Sequence, residues 1–236
     1  MSTAFAYALT RLHARIADRP GEHERRRLAA VDDFGHFLQL AARGGFGPWV
    51  KNLGTTSGPH GVEYALREAW RGRVGELAGW LPARWRRAVG WLRLAPDLPM
   101  LAEFLQHGSR PAWTELDQRW TRLPAEPEAL RQALIERWPV LAQFGNDELA
   151  PAWLAQARAL LPSVDGRSAK VLQALLQAQL EPAGAGWLMR VFRRDPGAPV
   201  KVFAYTGLER LDFEFLRGQL VRRRLQIQQP QEREAA

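Results

Sequence analysis

The sequence predicts an all-α fold in which helices pack together as bundles. Over most of the 236 residues, apolar side chains recur at the spacing of an amphipathic helix, and alternating β-branched segments are few. Several of the periodic segments begin beside a proline, which the first helical turn tolerates well. The composition is that of a globular protein, and a chain of this length can bury a substantial core.

The helices of the first half are predicted from their apolar stripes, such as Phe5, Leu9, Leu12 and Ile16 in the first of them. A Gly- and Pro-rich break at 43–61 interrupts the series. This break lacks the residue order of a phosphate-binding loop, so we interpret it as an interhelical loop. The predicted helices are 5–17, 24–42, 62–81, 84–94 and 97–106.

Shorter helices are predicted in the second half. The stretch 181–200, which is rich in Gly and Pro, is interpreted as a connector. The last long helix follows it, and the terminal "QQPQEREAA" is predicted to fray. The shorter helices are 111–122, 127–138, 148–161 and 167–180.

The net charge of +8 requires that an anionic partner be considered. Nearly all of the positive charge is arginine, since Lys51, Lys170 and Lys201 are the only lysines. An arginine excess of this kind is typical of a GC-rich genome. We therefore give little weight to the choice of arginine over lysine.

Residues for catalysis, metals or cofactors do not form recognisable patterns. The chain has no cysteine, which excludes disulfides, thiolate metal sites and thiol nucleophiles. The histidines are scattered, and no serine stands in G-x-S-x-G. Neighbouring carboxylates such as Asp212 and Glu214 do not share a helix face, which makes them poor acid/base pairs. We expect no catalytic residue, no cofactor, no metal and no small-molecule substrate.

The sequence also indicates a soluble protein. The first residues lack the apolar core of a secretory signal, and no apolar run approaches the roughly 18 residues that a spanning helix needs. We expect a cytoplasmic location, with any membrane contact made through a partner.

A segment rich in tryptophan and arginine raises the alternative of nucleic-acid binding, because aromatic rings stack on bases and arginines bind phosphates. Its tryptophans include Trp80, Trp85 and Trp91. Acidic residues interrupt the positive charge, and tryptophan in a bundle normally belongs to the core or to an interface. We favour core or partner packing, and keep a basic helical nucleic-acid-binding protein as the alternative function. Arg84, Arg86 and Arg87 would be its phosphate contacts.

The last long helix carries polar residues inside its apolar stripe. Asp212 and Gln219 fall within the stripe, and Arg222 lies at its edge. A buried polar group must find a partner. The pattern therefore indicates either a buried ion pair or a polar seam that meets another protein.

Three segments resemble the C-type stalk component of bacterial and archaeal V/A-type rotary ATPases, the homologue of the d-type component of the vacuolar enzyme. "FAYALTRLHA" resembles the family's F-A-Y-A-N-A-R-V-R-A start, and "VEYALREAW" resembles its v-E-x-A-L-R helix. In "YTGLERLDFEFLR", Tyr205, Leu216 and Arg217 match a Y-x-x-x-K-E-x-E-x-x-N-L-R helix, with Asp212 in place of its second glutamate.

This resemblance implies a non-catalytic component of the central stalk. Such a component couples the rotary shaft to the membrane ring of proteolipid subunits during hydrogen ion or other ion transport. Stalk subunits and the proteolipid ring would be its partners, nucleic acid would not, and the protein would be peripheral to the cytoplasmic membrane. The predicted partner contacts are the loop 43–61 and Trp80, Trp85, Trp91, Tyr205, Asp212 and Arg217.

The chain departs from the family pattern in ways that indicate a short or divergent member. Glu209, Arg210 and Phe215 replace a lysine, a glutamate and an asparagine, and the middle of the chain is shorter than usual. The resemblance implies bundles in a funnel-like or reduced multi-lobed arrangement. Its parts would be an N-terminal bundle (1–108), a shortened middle segment with a connector (109–200) and a C-terminal helix with its tail (201–236).

Overall fold

The computed structural model describes residues 3–162, 170–171, 184–194 and 199–234, and every regular element in these ranges is helical. The predicted all-α class is therefore confirmed. A 3-10 segment at Leu92–Asp97 joins the sixth α-helix of the first half to the seventh. These helices are α1 (Thr3–Ala17), α2 (Glu22–Ala29), α3 (Phe34–Arg43), α4 (Gly47–Val50), α5 (Pro59–Trp80), α6 (Ala83–Trp91) and α7 (Leu98–His107).

The second half combines short helices with one long one. Short 3-10 segments lie at Ala112–Leu116, Pro139–Gln143 and Asn146–Glu148. Apart from residues 170–171, the helix predicted at 167–180 lies outside the described residues. The α-helices are α8 (Gln118–Thr121), α9 (Pro127–Arg137), α10 (Leu149–Ala159), α11 (Gly184–Arg194) and α12 (Val200–Glu234).

The single helix predicted at 24–42 was wrong, because the chain breaks between α2 and α3. Asp33 adopts an extended backbone conformation, and its carboxylate accepts a hydrogen bond from the backbone N–H of His36 at 2.7 Å. This is the geometry of a helix N-cap, which satisfies a donor that the first turn leaves free.

Two predictions near the end of the chain were also wrong. The supposed connector at 181–200 contains helix α11, whose buried Leu188 and Phe192 lie four residues apart and face the core. The tail does not fray at residue 228, since the backbone of α12 stays helical to Glu234. Gln, Glu and Arg, which make up most of this tail, are good helix formers.

Helix α12 lies at the centre of the fold. It packs against α11, α5, α1 and α3. Every residue from 201 to 210 is buried, so this stretch has no solvent-facing side. A helix that is enclosed in this way is normally apolar all round, yet Lys201, Glu209 and Arg210 are buried here.

Aromatic rings fill the space around α12. The Phe213 ring lies 6.2 Å from the ring centroids of both Trp49 and Trp70. Nearer the start of the helix, Trp85 of α6 lies 6.1 Å from Phe5 and 6.3 Å from Phe203. The core thus joins residues from both ends of the chain.

The loop after α3 approaches the end of α1 very closely at Gly45. A β-carbon at this position would lie 2.6 Å from the backbone nitrogen of Pro20 and 2.7 Å from the carbonyl oxygen of Asp18. Backbone atoms cannot rotate aside, so a larger residue would push the two segments apart. Gly45 therefore fixes the distance between two walls of the cleft described next.

Candidate functional site

The buried charges of α12 form clusters with arginines from other helices, and the first cluster surrounds Asp212. Its side chain is 1% exposed. Arg19, just after α1, reaches both carboxylate oxygens, with Nε–Oδ2 and Nη2–Oδ1 distances of 2.8 Å. Arg25 of α2 donates a further hydrogen bond to Oδ1. Burial, and after it the charge of Arg19, lowers the pKa of Arg25 to about 10, so two charged arginines share this carboxylate at neutral pH.

The second cluster surrounds Glu209, nearly one helical turn closer to the start of α12. The Tyr205 hydroxyl donates to Glu209 Oε1 at 2.5 Å, and Arg73 of α5 donates to both carboxylate oxygens. Burial raises the pKa of the Tyr205 hydroxyl, and the neighbouring Glu209 carboxylate raises it further. Burial opposes the charged form of Arg73, but the hydrogen bonds and the charge of Glu209 raise its pKa overall.

The third cluster links α5, α12 and the 3-10 segment before α7. Glu63 accepts hydrogen bonds from Arg67 and, at 2.7 Å, from Arg217 Nε. Arg67 Nε also contacts Asp97 at 3.1 Å, and Arg71 Nη2 contacts the other Asp97 oxygen at 2.6 Å. Glu63 and Asp97 each bind two arginines, so the loss of either carboxylate would remove an ion-pair partner from two arginines at once.

Arg210 is the least satisfied of the buried charges. One of its nitrogens pairs with Glu214, but Nε and Nη1 have no hydrogen-bond partner among the described residues. Its guanidinium lies 4.9 Å from the Phe213 ring and 5.9 Å from the Trp70 ring. Burial lowers the pKa of Arg210 to about 10.

A cleft of about 780 Å³ opens beside the first two clusters. Its walls come from the end of α1, the loop after α3, and α5, and Asp212 of α12 also lines it. Positive and negative side chains line it in equal numbers, so it suits a partner that carries both signs. The charged lining residues are Arg15, Arg19, Lys51, Arg73, Asp18, Glu68, Glu76 and Asp212.

A patch of aromatic and arginine side chains continues from the cleft onto the outside of α1 and α5. We call Tyr7, Arg11, Arg15 and Trp80 the aromatic surface. The Trp80 ring centroid lies 4.9 Å from the Arg11 guanidinium and 4.8 Å from that of Arg15. Tyr7 is 52% exposed, and its hydroxyl accepts from Arg11 at 2.5 Å. Trp, Tyr and Arg are the residues most enriched in binding hot spots.

Three of the predicted contact residues lie inside the protein. Trp85 is 4% exposed and packs between the Phe5 and Phe203 rings. Tyr205 and Asp212 are held in the buried clusters. This corrects the expectation that these three side chains lie at a partner surface, because their packing and ion pairs leave them almost no exposed area.

The other predicted contact residues reach the surface. Trp80 belongs to the aromatic surface, and the side chain of Arg217 is 45% exposed. Trp91 is half-buried, with its Nε1 donating to the Trp153 carbonyl at 3.1 Å and its ring 4.8 Å from the Trp138 ring. A partner contact through these residues stays a prediction.

The arginines of the tryptophan-rich segment divide into two classes. Those on α5, such as Arg67, Arg71 and Arg73, are paired with buried or partly buried carboxylates, so their charges are already balanced within the fold. In contrast, Arg86 and Arg87 of α6 are exposed and pair with no carboxylate in the part of the chain that the structure describes.

The interpretation of Asp212 as half of a buried ion pair is confirmed, but its partners were missed. Arg19 and Arg25 bind Asp212, Arg73 binds Glu209 one turn before it, and the sequence did not assign these arginines to the acids of α12. The available signal was the acid inside an apolar stripe, which requires a cation. That signal does not identify which of the many arginines of this chain is the cation.

Known proteins offer no assignment for this site. Within the described ranges, no group of three or more His, Cys, Asp or Glu side chains could hold a metal ion, and no helix is long and apolar enough to cross a membrane. No family model matches the chain, and neither a curated protein nor a solved structure is significantly similar to it.

His13 of α1 and Lys201 of α12 are in contact. The Lys201 ammonium lies 3.1 Å from His13 Nε2, and the His13 ring lies 4.9 Å from that of Phe192 on α11. His13 is largely exposed, and the slight desolvation of its ring, followed by the charge of Lys201, lowers its pKa. The neutral ring can accept a hydrogen bond from Lys201, whereas the protonated ring would repel it.

We therefore expect acid to destabilise the protein through His13. Below the ordinary histidine pKa of about 6.5, the unfolded chain binds this proton more readily than the folded chain does, so stability falls as the pH falls. Urea unfolding at pH values of about 7.5 and 5.5, on either side of the ordinary histidine pKa, measures the loss. The loss should be smaller in His13→Gln, and an equal loss in both proteins would contradict the assignment.

Proposed function

We propose that this chain is a non-catalytic component of the central stalk of a V/A-type rotary ATPase, where it couples the rotary shaft to the membrane proteolipid ring. The observation that carries the proposal is the meeting of the segments that resemble the family. "FAYALTRLHA" lies in α1, "VEYALREAW" in α5 and "YTGLERLDFEFLR" in α12. These helices pack against one another although long stretches of sequence separate them.

The polar residues of the matching patterns also pair with each other, which supports the proposal. Glu63 and Arg67 are the charged residues of the v-E-x-A-L-R match, and Arg217 closes the N-L-R match. All three meet in one ion cluster. A chance likeness of separate segments gives no reason for their charges to be partners.

A coupling component must resist twisting, and the clusters around α12 supply that resistance. Arg19, Arg25 and Arg73 attach this helix to α1, α2 and α5 through short hydrogen bonds to buried carboxylates. Separating such a pair leaves a buried charge without a counterion, which costs about 3–5 kcal/mol. A load applied to α12 is therefore passed to the surrounding helices.

We further propose that the helices belong to a funnel-like or reduced multi-lobed arrangement, peripheral to the cytoplasmic membrane. The aromatic surface and the exposed side chains of the adjoining cleft are the proposed contact with a stalk partner. Their mixture of Trp, Tyr, Arg and carboxylate side chains suits a protein surface with both charges.

The test is a pull-down of the tagged full-length chain from native membranes in mild detergent at moderate salt, with mass spectrometry of the co-purifying chains. Recovery of stalk and proteolipid-ring subunits is the expected result. Recovery of nucleic acid, or of chains unrelated to a rotary ATPase, would overturn the proposal.

Trp80→Ala is expected to lower the recovery of stalk subunits by about tenfold or more, as loss of a tryptophan hot spot does. Leu116→Ala is the matched control, because this side chain is also apolar and exposed but lies outside the aromatic surface. Unchanged recovery with Trp80→Ala would remove the aromatic surface from the interface. The pull-down with the unaltered chain would still show which complex the protein belongs to.

A further inference from the structure

A smaller pocket, of about 330 Å³, lies where α6, α9 and α10 meet and is separate from the cleft described above. Arginines dominate its lining. None of them forms an ion pair with a carboxylate in the described part of the chain, in contrast to the arginines around α12. The charged residues that line it are Arg86, Arg87, Arg93 and Arg137.

The fold holds two of these arginines in place. Arg86 Nε donates to the Leu81 carbonyl at 2.9 Å. The Arg93 guanidinium lies directly against α5 at Gly75, where a β-carbon would collide with Nη2.

Negative charge is scarce around the pocket. The only acid in α6 and the 3-10 segment after it is Asp97, which is buried and occupied by Arg67 and Arg71. Helix α10 contains no acidic residue, and the acids of α9, Glu128 and Glu136, do not line the pocket. Four arginines therefore line the pocket, and no carboxylate of the described residues lines it with them. An anion that binds there would offset the repulsion between their charges.

We infer that this pocket binds a small anion with adjacent phosphate groups. Guanidinium groups bind phosphate oxygens through pairs of parallel hydrogen bonds, and several arginines together match the several charges of a di- or triphosphate. The volume falls at the lower end of the range of about 300–1,000 Å³ for ligand pockets. A volume of this size suits a compact ligand.

Trp91 adds an aromatic ring to the pocket, which can contact a part of the ligand other than its phosphates. Its indole lines the pocket, and the hydrogen bond from Nε1 to the Trp153 carbonyl fixes the ring. A fixed aromatic wall beside phosphate-binding arginines can receive a nucleobase by stacking. The shared chemistry is the polyphosphate group, and its source is either a nucleoside polyphosphate or an inorganic polyphosphate. The inference does not depend on the stalk proposal.

Calorimetric titration of the full-length chain with pyrophosphate, tripolyphosphate and ATP tests this site. We expect saturable binding of tripolyphosphate, weakened about tenfold or more by Arg87→Gln and by Arg137→Gln, since each removes charge-assisted hydrogen bonds. Arg84→Gln is the matched control, because Arg84 is exposed on the same helix and carries the same charge but does not line the pocket. Its affinity should stay within about twofold of the unaltered chain.

The outcomes separate the alternatives. Tighter binding of ATP than of tripolyphosphate identifies a nucleotide site, and equal binding identifies a site for the phosphates alone. An equal loss of affinity in Arg84→Gln and Arg87→Gln would mean diffuse attraction to a basic surface, as for nucleic acid, and would overturn the pocket. Absence of binding at millimolar ligand would overturn it as well. Thermal unfolding of each variant, with Arg87→Lys as a second substitution that keeps the charge, excludes misfolding as the cause.

Discussion

Replacement of Asp212 by asparagine is expected to lower the free energy of unfolding by about 3–5 kcal/mol, the usual cost of removing one partner from a buried ion pair. Asparagine keeps the size of the side chain but not its charge. Arg19 and Arg25 would then face each other in a buried site without the carboxylate that both now bind. The loss is a large part of the roughly 5–15 kcal/mol that stabilises a typical domain.

Urea unfolding followed by circular dichroism measures this effect as a shift of the midpoint at constant slope. Asp18→Asn is the matched control, because Asp18 lines the same cleft but is exposed. A surface change of this kind should alter stability by no more than about 0.5 kcal/mol. Equal midpoints for Asp212→Asn and the unaltered chain would mean that solvent already satisfies the two arginines.

Replacement of Trp85 by alanine is expected to cost about 3–5 kcal/mol of stability, the range for a large aromatic side chain removed from a core. The ring lies between Phe5 of α1 and Phe203 of α12, so its removal opens a cavity where both ends of the chain meet. Any loss of partner binding in this variant would follow from misfolding.

A comparison with Trp80→Ala separates two roles that look alike in the sequence. Trp80 is partly exposed and is covered by arginine side chains, so its removal should cost clearly less in thermal unfolding than removal of Trp85. If both variants unfold at the same temperature, Trp85 is not the core residue that its packing indicates.

The spacing of apolar residues predicted the helices whose apolar stripes are continuous. It failed where a single side chain determines where a helix begins, and where nearby glycines and prolines conceal a helix. Helices α1, α5 and α9 lie within a few residues of their predicted positions. The break before α3 depends on one side-chain hydrogen bond to Asp33, which the apolar pattern on both sides conceals. Helix α11 was missed because glycines at its start and prolines nearby suggest a connector, although its apolar residues have helical spacing.

In the buried ion clusters, only the acidic residue Asp212 could be predicted from the sequence. Asp212 stands out because it interrupts an apolar stripe, but its partners lie in α2 and just after α1, almost at the other end of the chain. The sequence does not show which arginine pairs with Asp212 in the folded chain. The aromatic surface was predicted only at Trp80, since Arg11 of α1, which contacts Tyr7, meets the Trp80 ring only in the folded chain.

The central position of α12 has a consequence for the order in which the protein folds. The helices that surround it, α1, α3 and α5, leave the ribosome long before it does, because synthesis proceeds from the N-terminus. Until α12 has been synthesised, the apolar faces of these helices cannot pack against it, and the arginines that bind its acids remain unpaired. Contacts between residues so far apart in sequence also form slowly. The growing chain must therefore stay protected from aggregation until its last long helix has been made.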